Sequence, residues 1–495
     1  MSSIRIALAP GDGIGPEIVQ ASLDLFQAAG VMKQGVEFVP VEMGFSVFTK
    51  GNSRGMTDEA VRTVEECGLL FKGPMETPKG GGGKSINVTA RKLWNAFANL
   101  RVFKTLPGVE SVYSKAGIPI DMCIVRENLE DTYGGVEHRL SADMVQCKRL
   151  VSAPGSDEVH RFAFQTARRL GIKKIHCGHK ANIMKMTDGL FLDRFRAIAQ
   201  DFPDIETADV IVDALCMNLV VRPQQYQMIV LPNLQGDIVS DLCAGLVGGL
   251  GFAPSANIGK HISIFEAVHG TAPDIAGKGL ANPTSIILSG LMMLRHIHLG
   301  REAAIIENAL LATLESGVRT GDFGNKAKAS VGTTEFTKAI IDRLGAQPKT
   351  VTPAPVPEQT PASLDRAAKP MGQQVIRTFK NIVTQVVGCD IYLDSLLAPT
   401  SLAEEMQRIA TDTPFRLTVI SNRGTQVWPT GSVYTECVDY YRVRFELKDP
   451  ALSGTIGQSR TVALMDRVAE KFTVCSYELL RTFDGIRGYS LAQGQ

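Results

Sequence analysis

The sequence lacks the marks of a disulfide-linked, zinc-binding or membrane-spanning protein. Its nine cysteines are scattered, and no two of them stand at Cys-x-x-Cys spacing, which argues against a disulfide framework or a zinc site. No stretch reaches the roughly 18 consecutive apolar residues of a membrane span. The opening MSSIRIALAPGDG has no apolar core of the signal-peptide type. We therefore expect a cytoplasmic protein with no membrane partner.

An excess of either charge is also missing. Lys and Arg number 52, Asp and Glu number 51, and the net charge is +1, whereas a nucleic-acid-binding domain needs a strong basic excess. We expect no nucleic-acid partner. A small anionic substrate is compatible with this balance, because it needs only a local cluster of basic side chains. Apolar residues make up 44% of the chain and charged residues 21%, as in an ordinary globular protein.

The length and one proline-rich stretch indicate several domains. A chain of 495 residues is too long for one ordinary domain, and its length suggests about three. Residues 346–371 are rich in Pro, Thr, Ala and Ser, a composition that favours extended conformations and builds no core. This stretch is predicted to be a linker between a body of residues 1–345 and a C-terminal domain of residues 372–495.

The body alternates short apolar strands with helical patterns, which is typical of an α/β architecture. The pattern predicts a helix over residues 16–29. Strands are predicted at residues 4–9, 36–42, 122–126, 174–177, 210–213 and 227–231.

The C-terminal domain shows a second pattern. Its predicted order is βαββαβ, the order of ferredoxin-like domains. Such a domain can bind a regulatory ligand, form an oligomer contact or be a passive extension, because fold alone does not fix function. The predicted elements are residues 391–394, 401–410, 416–421, 440–447, 461–472 and 473–480.

Two glycine-rich loops come close to nucleotide-binding motifs without matching them. In GDGIG at residues 11–15, the third glycine comes one residue too early for the GxGxxG fingerprint. A tight strand-to-helix turn with Pro16 at the helix start is favoured instead. The run from Pro78 to Ser85 nearly matches a P-loop, but Pro78 stands where the first glycine is required. This run can still present Lys84 and Ser85 to an anion.

Three arginines and two small polar residues form the first candidate site. Ser85 and Asn87 are followed by Arg91, Arg101 and Arg126. Each guanidinium offers a planar fork that binds a carboxylate through two hydrogen bonds, so three of them suit a polycarboxylate. Taken singly, surface arginines are the simpler interpretation. Arg126 is the exception, because it ends an apolar strand.

Two aspartates form a second candidate site. Asp237 and Asp241 are four residues apart, a spacing that puts both carboxylates on one helix face. A divalent cation such as Mg²⁺ or Mn²⁺ would relieve their repulsion, and Asp213, at the end of a predicted strand, could complete the site. A helix N-terminus enriched in acids explains the same spacing equally well.

Four long motifs carry a family resemblance. They are ALAPGDGIGPE, IVRENLEDTYGGVEH, NLQGDIVSDLCAGLVGGLG and AVHGTAPDIAGKGLANPT. Over residues 4–344 the chain resembles the decarboxylating β-hydroxyacid dehydrogenases, which act on isocitrate, isopropylmalate, homoisocitrate and tartrate. The segments SNRGTQVWP and YYRVRFEL resemble the C-terminal extension of a bacterial subgroup of isocitrate dehydrogenases.

The resemblance implies a two-domain α/β fold that is not a Rossmann fold. A large domain on the cofactor side would comprise residues 1–98 and 265–345. A small domain of residues 99–264 would carry the dimer interface and a clasp at about residues 131–152. The active site would lie in the cleft between these domains, and a second subunit would complete it in a homodimer.

The resemblance also assigns roles to individual residues. Tyr133 is expected to be the catalytic acid, and Lys180 is expected to reach the neighbouring subunit's site as the base. Asp237 and Asp241 are expected to hold the metal together with Asp213 from the other chain. The expected substrate-binding residues are Ser85, Asn87, Arg91, Arg101 and Arg126. The expected cofactor-binding residues are Thr77, Asn87, Glu266, His269, Gly270, Thr271, Ala272, Asp274, Ile275 and Asn282.

The implied reaction is oxidative decarboxylation of isocitrate to 2-oxoglutarate, a step of the tricarboxylic acid cycle. Ser85 and Asn87 favour this substrate, because the equivalent segment of isopropylmalate enzymes is apolar. Isopropylmalate or homoisocitrate dehydrogenase and a non-catalytic regulatory subunit of the same fold are the alternatives. Intact Tyr133 and Lys180 argue against the last of these.

The cofactor is predicted to be NAD. NADP-dependent members of the family carry Lys and Tyr after the HGTAP segment, and a Tyr and an Arg further on, around the 2′-phosphate. This sequence has Asp274, Ile275, Gly321 and Asn325 at those positions. A carboxylate can accept hydrogen bonds from ribose hydroxyls and repels a phosphate.

Overall fold

The chain forms two compact units. A computed structural model describes residues 3–76, 85–323, 330–364, 382–432 and 434–491. The first unit comprises residues 1–134 and 149–374, and the second comprises residues 135–148 and 375–495.

Short strands and longer helices alternate along residues 4–341. The strands are β1 (Ile4–Ala9), β2 (Val36–Pro40), β3 (Leu69–Lys72), β4 (Ala98–Lys104), β5 (Asp121–Glu127), β6 (Glu137–Arg139), β7 (Val145–Cys147), β8 (Lys174–His179), β9 (Glu206–Ile211), β10 (Met228–Leu231), β11 (Pro254–Ile258) and β12 (Ser263–Ala267). The helices are α1 (Gly15–Ala28), α2 (Phe45–Thr49), α3 (Asp58–Cys67), α4 (Ile86–Leu93), α5 (Val112–Lys115), α6 (Ala153–Leu170), α7 (Thr187–Ala199), α8 (Val212–Val221), α9 (Asn233–Leu246), α10 (Thr284–His296), α11 (Gly300–Glu315) and α12 (Thr333–Ile341).

One ten-stranded sheet organises the first unit. Its order is β2-β1-β3-β12-β11-β4-β5-β10-β8-β9. The four strands at one end are mutually parallel, as are the four at the other end. Antiparallel pairs of β11 with β12, β11 with β4 and β4 with β5 join the two halves. The α/β prediction is confirmed, and this mixed order is not that of a Rossmann fold.

Local sequence explains where several helices begin and end. Pro16 lies in the first turn of α1, where its missing N–H costs nothing. Ser152 caps α6 by accepting a hydrogen bond from the Gly155 N–H, and Gly171, with φ +71°, ends that helix. Among the residues that the structure describes, no helix is long and apolar enough to cross a membrane.

One predicted strand is wrong at its end. Residues 210–213 were expected to form a strand that finishes at Asp213, but β9 ends at Ile211 and α8 begins at Val212. Apolar residues run through this junction, so hydrophobicity alone does not separate strand from helix. Asp213 therefore lies in the first turn of α8, where its charge is favourable to the helix dipole.

The first unit has separate apolar cores on its two sheet halves. One lies where α1, α10, α11 and α12 cover the β1–β3 end, around Phe26, Phe71 and Leu310. Another lies between α6, α7 and the β8–β10 end, around Phe164 and Phe195. The division into a large domain of residues 1–98 and 265–345 and a small domain of residues 99–264 stays a prediction.

Part of the predicted linker lies along the first unit. Ala354 exchanges two hydrogen bonds with the Asn308 side chain, at 2.7 and 2.9 Å. Val351 and Leu364 pack against the core. Residues 346–364 form no helix or strand, and a few apolar side chains attach them to the surface of the first unit.

The second unit is built on a six-stranded antiparallel sheet. Its order is β15-β14-β16-β13-β17-β18, and two helices cover one face. The hairpin of β6 and β7 belongs to the same unit, where Lys148 Nζ lies 3.0 Å from Glu478 Oε1. The elements are β13 (Thr384–Asp394), α13 (Pro399–Ile409), β14 (Phe415–Asn422), β15 (Thr425–Trp428), β16 (Tyr440–Leu447), α14 (Gln458–Ala469), β17 (Thr473–Phe483) and β18 (Ile486–Arg487).

The central strands confirm the predicted βαββαβ domain. In the order β14-β16-β13-β17, the first and third strands are neighbours at the centre, as in ferredoxin-like folds. The two outer strands were not predicted. Each follows a two-residue turn with both φ angles positive, at Arg423-Gly424 and at Asp484-Gly485, which is the turn type favoured in tight hairpins.

We expect the buried ion pair of this sheet to dominate the stability of the C-terminal domain. Arg444, which is 1% exposed, donates to both oxygens of Asp390 at 2.7 and 2.8 Å. Replacing Asp390 with Asn would leave the guanidinium buried without its counter-charge, at a cost of about 3 kcal/mol. Urea unfolding of the full chain should show this loss.

A matched control is Asp342→Asn, which removes an exposed ion pair to Lys338 at 2.6 Å. Surface pairs contribute at most about 1 kcal/mol. Equal unfolding midpoints for the Asp390→Asn and Asp342→Asn variants would contradict the importance of the buried pair.

Candidate active site

Two of the predicted substrate arginines meet at one helix. Arg101 on β4 and Arg126 on β5 both reach Asp237 in α9: Arg126 Nη1 donates to Asp237 Oδ1, and Arg101 Nη2 lies 3.7 Å from that oxygen. Arg101 Nη1 also lies 3.2 Å from Asp241 Oδ1. The adjacent antiparallel strands β4 and β5 bring the two guanidiniums together. Asp237 and Asp241 are one helical turn apart, so both carboxylates lie on the face of α9 that meets these guanidiniums.

The arginines form a concentrated positive charge. Burial lowers the pKa of Arg101 and of Arg126, the latter to about 10, and the nearby charge of Arg91 lowers the pKa of both further. Asp237 opposes this effect on both guanidiniums. Arg101 and Arg126 nevertheless stay protonated at neutral pH. A ligand with several carboxylates would therefore relieve their mutual repulsion.

Glu266 is the permanent counter-ion of this cluster. It lies buried on β12, with Lys72 Nζ at 2.5 Å and Arg91 Nη2 at 2.8 Å, and Asn257 donates to it at 2.7 Å. Burial alone would raise the pKa of Glu266, but Lys72 and Arg91 hold it well below its usual range. The predicted cofactor-binding Glu266 thus supports the Arg91 side chain in this structure.

Tyr133 lies against the same cluster. It stands in the short 3₁₀ helix Thr132–Gly134 and donates a hydrogen bond from its hydroxyl to Asp237 Oδ2. The Arg126 guanidinium lies 4.9 Å from the centre of its ring. Burial, then the hydrogen bond to Asp237, raises the pKa of Tyr133. Its phenol therefore stays protonated at neutral pH and can act as an acid.

Lys180 and Asp213 form a separate pair. Lys180 Nζ donates to Asp213 Oδ1 at 2.6 Å, and this contact lowers the pKa of Asp213. Within the ranges that the structure covers, no hydrogen bond or ion pair joins these two side chains to Arg101, Arg126 or Tyr133. One chain thus brings the predicted site residues together as two groups.

The acidic residues fit a divalent cation only in part. Asp237 and Asp241 offer the hard carboxylate oxygens that Mg²⁺ and Mn²⁺ prefer, and Asp241 is 60% exposed. In the portion of this single chain that is described, no group of three or more His, Cys, Asp or Glu side chains could hold a metal. The third expected ligand, Asp213, pairs with Lys180 instead. The predicted ligand set therefore requires a second chain.

The residues expected around the third substrate carboxylate lie at the start of α4. Ser85 directly precedes this helix. Asn87, in its first turn, accepts a hydrogen bond from Lys72 Nζ at 2.9 Å through its side-chain oxygen. The neighbouring Lys84 and the predicted cofactor residue Thr77 lie outside the described residues.

The arginines and the predicted cofactor loop border one cavity. A cavity of about 400 Å³ is lined by Asn87, Arg91, Arg101, Glu266 and residues 268–271. A second pocket of about 260 Å³ shares two of these residues. Its lining includes the predicted residues His269, Gly270, Ala272, Ile275 and Asn282. Asp274 lies beside it in the short 3₁₀ helix Pro273–Ile275.

The GDGIG loop contacts residues that line the 400 Å³ cavity, a role that its sequence did not reveal. Asp12 accepts hydrogen bonds from the backbone N–H groups of Glu76 and Phe45, both at 2.9 Å. Gly13, with φ +59°, lies so close to Thr271 that a Cβ there would sit 2.0 Å from the Thr271 oxygen. The glycine is needed for this close backbone approach.

Two family comparisons match nearly the whole chain. Residues 5–340 match isocitrate/isopropylmalate dehydrogenase, and residues 384–495 match the C-terminal domain of bacterial isocitrate dehydrogenase. The chain belongs to the isocitrate/isopropylmalate dehydrogenase family. Its C-terminal domain is the one that marks the bacterial isocitrate dehydrogenase subgroup, as the SNRGTQVWP and YYRVRFEL segments predicted.

Similar proteins have closely related sequences and folds. An NADP isocitrate dehydrogenase from Thermus thermophilus is 44% identical over 99% of this chain and 96% of the relative. A crystal structure of a Thermus thermophilus protein superimposes with a TM-score of 0.88 at 43% identity, covering 99% of this chain and 96% of that one. A mitochondrial protein from Dictyostelium discoideum, named as a regulatory subunit of NAD isocitrate dehydrogenase, is 44% identical over 69% of this chain and 93% of the relative.

These relatives correct the predicted cofactor. Six relatives from Thermus and Rickettsia, each matched over 99% of this chain, are named as NADP enzymes, so the prediction of NAD is wrong. Asp274 is exposed, and two unit charges about 4 Å apart in water repel by only about 1 kcal/mol. Other cations can also replace the missing Lys, Tyr and Arg: Lys326 and Lys328 closely follow Asn325, outside the described residues.

A buried acid beside the arginines makes stability depend on pH. Glu127 directly follows Arg126 and is 4% exposed. It accepts hydrogen bonds from the backbone N–H groups of Leu129 at 2.8 Å and of Glu130 at 3.0 Å. Burial raises the pKa of Glu127 from 4.5 to about 7. Between these values the folded chain binds more protons than the unfolded chain, so stability falls as pH rises.

We expect Glu127→Gln to remove this loss. Its amide oxygen can still accept from Leu129 N–H without a charge to bury, and the variant should gain on the order of 2–3 kcal/mol over the wild type between pH 4.5 and pH 8. Urea unfolding at several pH values measures the gain. Glu37→Gln, at an exposed position, serves as the control. Stability curves of the wild type and of Glu127→Gln that run parallel over this pH range would contradict the raised pKa of Glu127.

Proposed function

We propose that the protein catalyses the NADP-dependent oxidative decarboxylation of isocitrate to 2-oxoglutarate and CO₂ with a divalent metal ion. The supporting observation is that buried arginines border the same cavity as residues 268–271. The family supplies the reaction type, and the names of the relatives matched over the full chain supply isocitrate and NADP.

Isocitrate carries three carboxylates, and the cavity with the residues next to its lining supplies a proposed polar partner for each. Arg91, Arg101 and Arg126 are assigned to two of them, and Ser85 with Asn87 to the third. Isopropylmalate has an alkyl group in place of that third carboxylate. Binding it would place this alkyl group against the polar side chains at the start of α4, where a carboxylate could accept hydrogen bonds. A mismatch of this kind costs several kcal/mol.

The side chains have matching chemical roles. Lys180 takes the proton of the substrate hydroxyl, and a bound oxidised NADP would supply the acceptor for the hydride that leaves the same carbon. A divalent ion held by Asp213, Asp237 and Asp241 would stabilise the negative charge left on the carbonyl oxygen as CO₂ departs. Tyr133, whose raised pKa keeps it protonated, then delivers a proton to the carbon that lost CO₂.

A homodimer explains why the two groups of residues are apart. Lys180 and Asp213 lie among exposed apolar side chains: Ile183 is 70% exposed. Met186, directly before α7, is exposed as well. Further exposed apolar residues on α8 and α9 are Met217, Val220, Val221, Leu234 and Ile238. An exposed apolar surface of this kind is typical of a subunit interface. We assign it to a second copy, which places Lys180 and Asp213 in the partner's active site.

A regulatory subunit is the second candidate, because the Dictyostelium relative carries that name. The predicted catalytic and metal residues are nevertheless all present in this chain. A regulatory subunit would bind isocitrate without turning it over.

Initial rates test the proposed reaction. We expect the purified protein with Mg²⁺ to show its highest kcat/KM for the pair of isocitrate and NADP, among isocitrate, isopropylmalate and homoisocitrate with NADP or NAD. EDTA should abolish the rate until Mg²⁺ or Mn²⁺ is restored. Faster turnover of isopropylmalate or homoisocitrate would overturn the substrate. A higher kcat/KM with NAD would overturn the cofactor, and no turnover of any pair would favour the regulatory subunit.

Mixed dimers test the shared site. We expect Lys180→Met and Tyr133→Phe homodimers to be nearly inactive, and their mixture to recover about a quarter of the wild-type rate. Half of randomly paired dimers are mixed, and each holds one site with both residues intact. Refolding each variant alone is the control. No recovery in mixtures shown by mass spectrometry to contain heterodimers would contradict the shared site.

A further inference from the structure

Arg149 bridges two buried carboxylates. Its Nε donates to Asp131 Oδ1 at 2.5 Å and its Nη2 donates to Asp131 Oδ2 at 3.2 Å. On its other side, Arg149 Nη1 lies 2.6 Å from Asp188 Oδ1. The Asp131 and Asp188 side chains are 2% and 0% exposed. A single guanidinium therefore compensates two carboxylates that water does not reach.

The first carboxylate fixes the segment that carries Tyr133. Asp131 adopts a left-handed backbone with φ +66°, a conformation that a non-glycine residue keeps only when its surroundings hold it. Its side chain accepts from the backbone N–H of Thr132 at 2.8 Å and of Leu234 at 3.0 Å. Asp131 thus ties the turn before Tyr133 to the start of α9.

The second carboxylate fixes Lys180. Asp188, in the first turn of α7, accepts from the Lys180 backbone N–H at 2.6 Å and from the Gln235 side chain at 2.8 Å. The backbone of Lys180 is therefore attached to the same helix, α9, that also carries Asp237. Asp131 and Asp188 hold different residues, and Arg149 connects them.

We propose that Arg149 is a positioning residue that sets the geometry of Tyr133 and Lys180 together. This inference rests on the proposed function, in which both groups move protons. Because Lys180 serves the partner's site in that proposal, the Arg149 of one chain supports two active sites: its own through Tyr133 and the partner's through Lys180. Lysine cannot replace it, since one ammonium lacks the planar fork that reaches both carboxylates.

The first test is Arg149→Lys, which keeps the positive charge between the carboxylates. We expect kcat to fall about 10- to 100-fold, the loss that misplacing a reacting group by about 1 Å can cause. The KM for isocitrate should change by less than about threefold, because the proposed role of Arg149 lies in proton transfer and not in substrate binding. The pH profile of kcat should shift as well. A matched control is Arg161→Lys, which alters an exposed pair with Asp201 at 3.0 Å.

Heterodimers with one wild-type chain give the sharper test. A Tyr133→Phe chain disables one site and should leave about half of the wild-type rate. An Arg149→Lys chain perturbs Tyr133 in one site and Lys180 in the other, so its heterodimer should fall well below half of the wild-type rate. Heterodimers are isolated with two different affinity tags.

If Arg149→Lys does not fold, Asp188→Asn provides a second test of the link between Arg149 and Lys180. This variant leaves the Arg149–Asp131 pair intact and loosens only Lys180, so in the proposed dimer it should impair only the partner's site. The homodimer should lose kcat, and the heterodimer with wild type should keep at least half of the wild-type rate. An Asp188→Asn homodimer with unchanged kcat would overturn the link from Arg149 to Lys180.

The outcomes separate this inference from the proposed function. An inactive wild type would overturn the proposed function before Arg149 is tested. An active wild type with an Arg149→Lys variant that loses thermal stability but keeps kcat would overturn the inference, because Arg149 would then be only structural. An Arg149→Lys heterodimer that keeps half of the rate would overturn the two-site role.

Discussion

The active site of this molecule depends on keeping several positive charges close together and buried from water. Arg101 and Arg126 are buried side by side, and the nearby charge of Arg91 lowers the pKa of both. Like charges at such distances repel strongly unless opposite charges compensate them. Buried Glu266, which lines the cavity, compensates the charge of Arg91 through a direct ion pair. Asp237 compensates Arg101 and Arg126 from a position that remains partly exposed.

Glu266 is buried, whereas Asp237 is partly exposed, so Asp237 is the carboxylate that a ligand in the cavity can displace. The ten-stranded sheet places Arg101 on β4 and Arg126 on β5, where its two parallel halves meet, and Asp237 of α9 lies against both. In our proposal, a substrate with three carboxylates binds the arginines and releases Asp237. The released Asp237 would then bind the divalent ion together with Asp241 and the partner's Asp213. Substrate and metal ion would then favour each other's binding.

Much of the fold and site could be predicted from the sequence, because long motifs and apolar periodicity are local signals. The α/β class and the ferredoxin-like order follow from them. The motifs also predict that Arg101, Arg126 and Tyr133 belong to one site, and in the structure all three lie near Asp237. Other features depend on packing between distant segments. The contacts of Arg149 leave no pattern along the chain. The NAD prediction was wrong, because an exposed Asp274 repels a phosphate only weakly in water. The Asp484-Gly485 hairpin, in contrast, has a recognised turn signal.

In this proposal, the substrate carboxylates replace Asp237 at the arginines, and Asp237 then becomes a ligand of the metal ion. Titration calorimetry of isocitrate with the wild-type protein, with and without Mg²⁺, tests it most directly. Mutual stabilisation predicts that Mg²⁺ tightens isocitrate binding at least about tenfold, and that Asp237→Asn removes most of this coupling. An isocitrate affinity that is the same with and without Mg²⁺ would contradict the account.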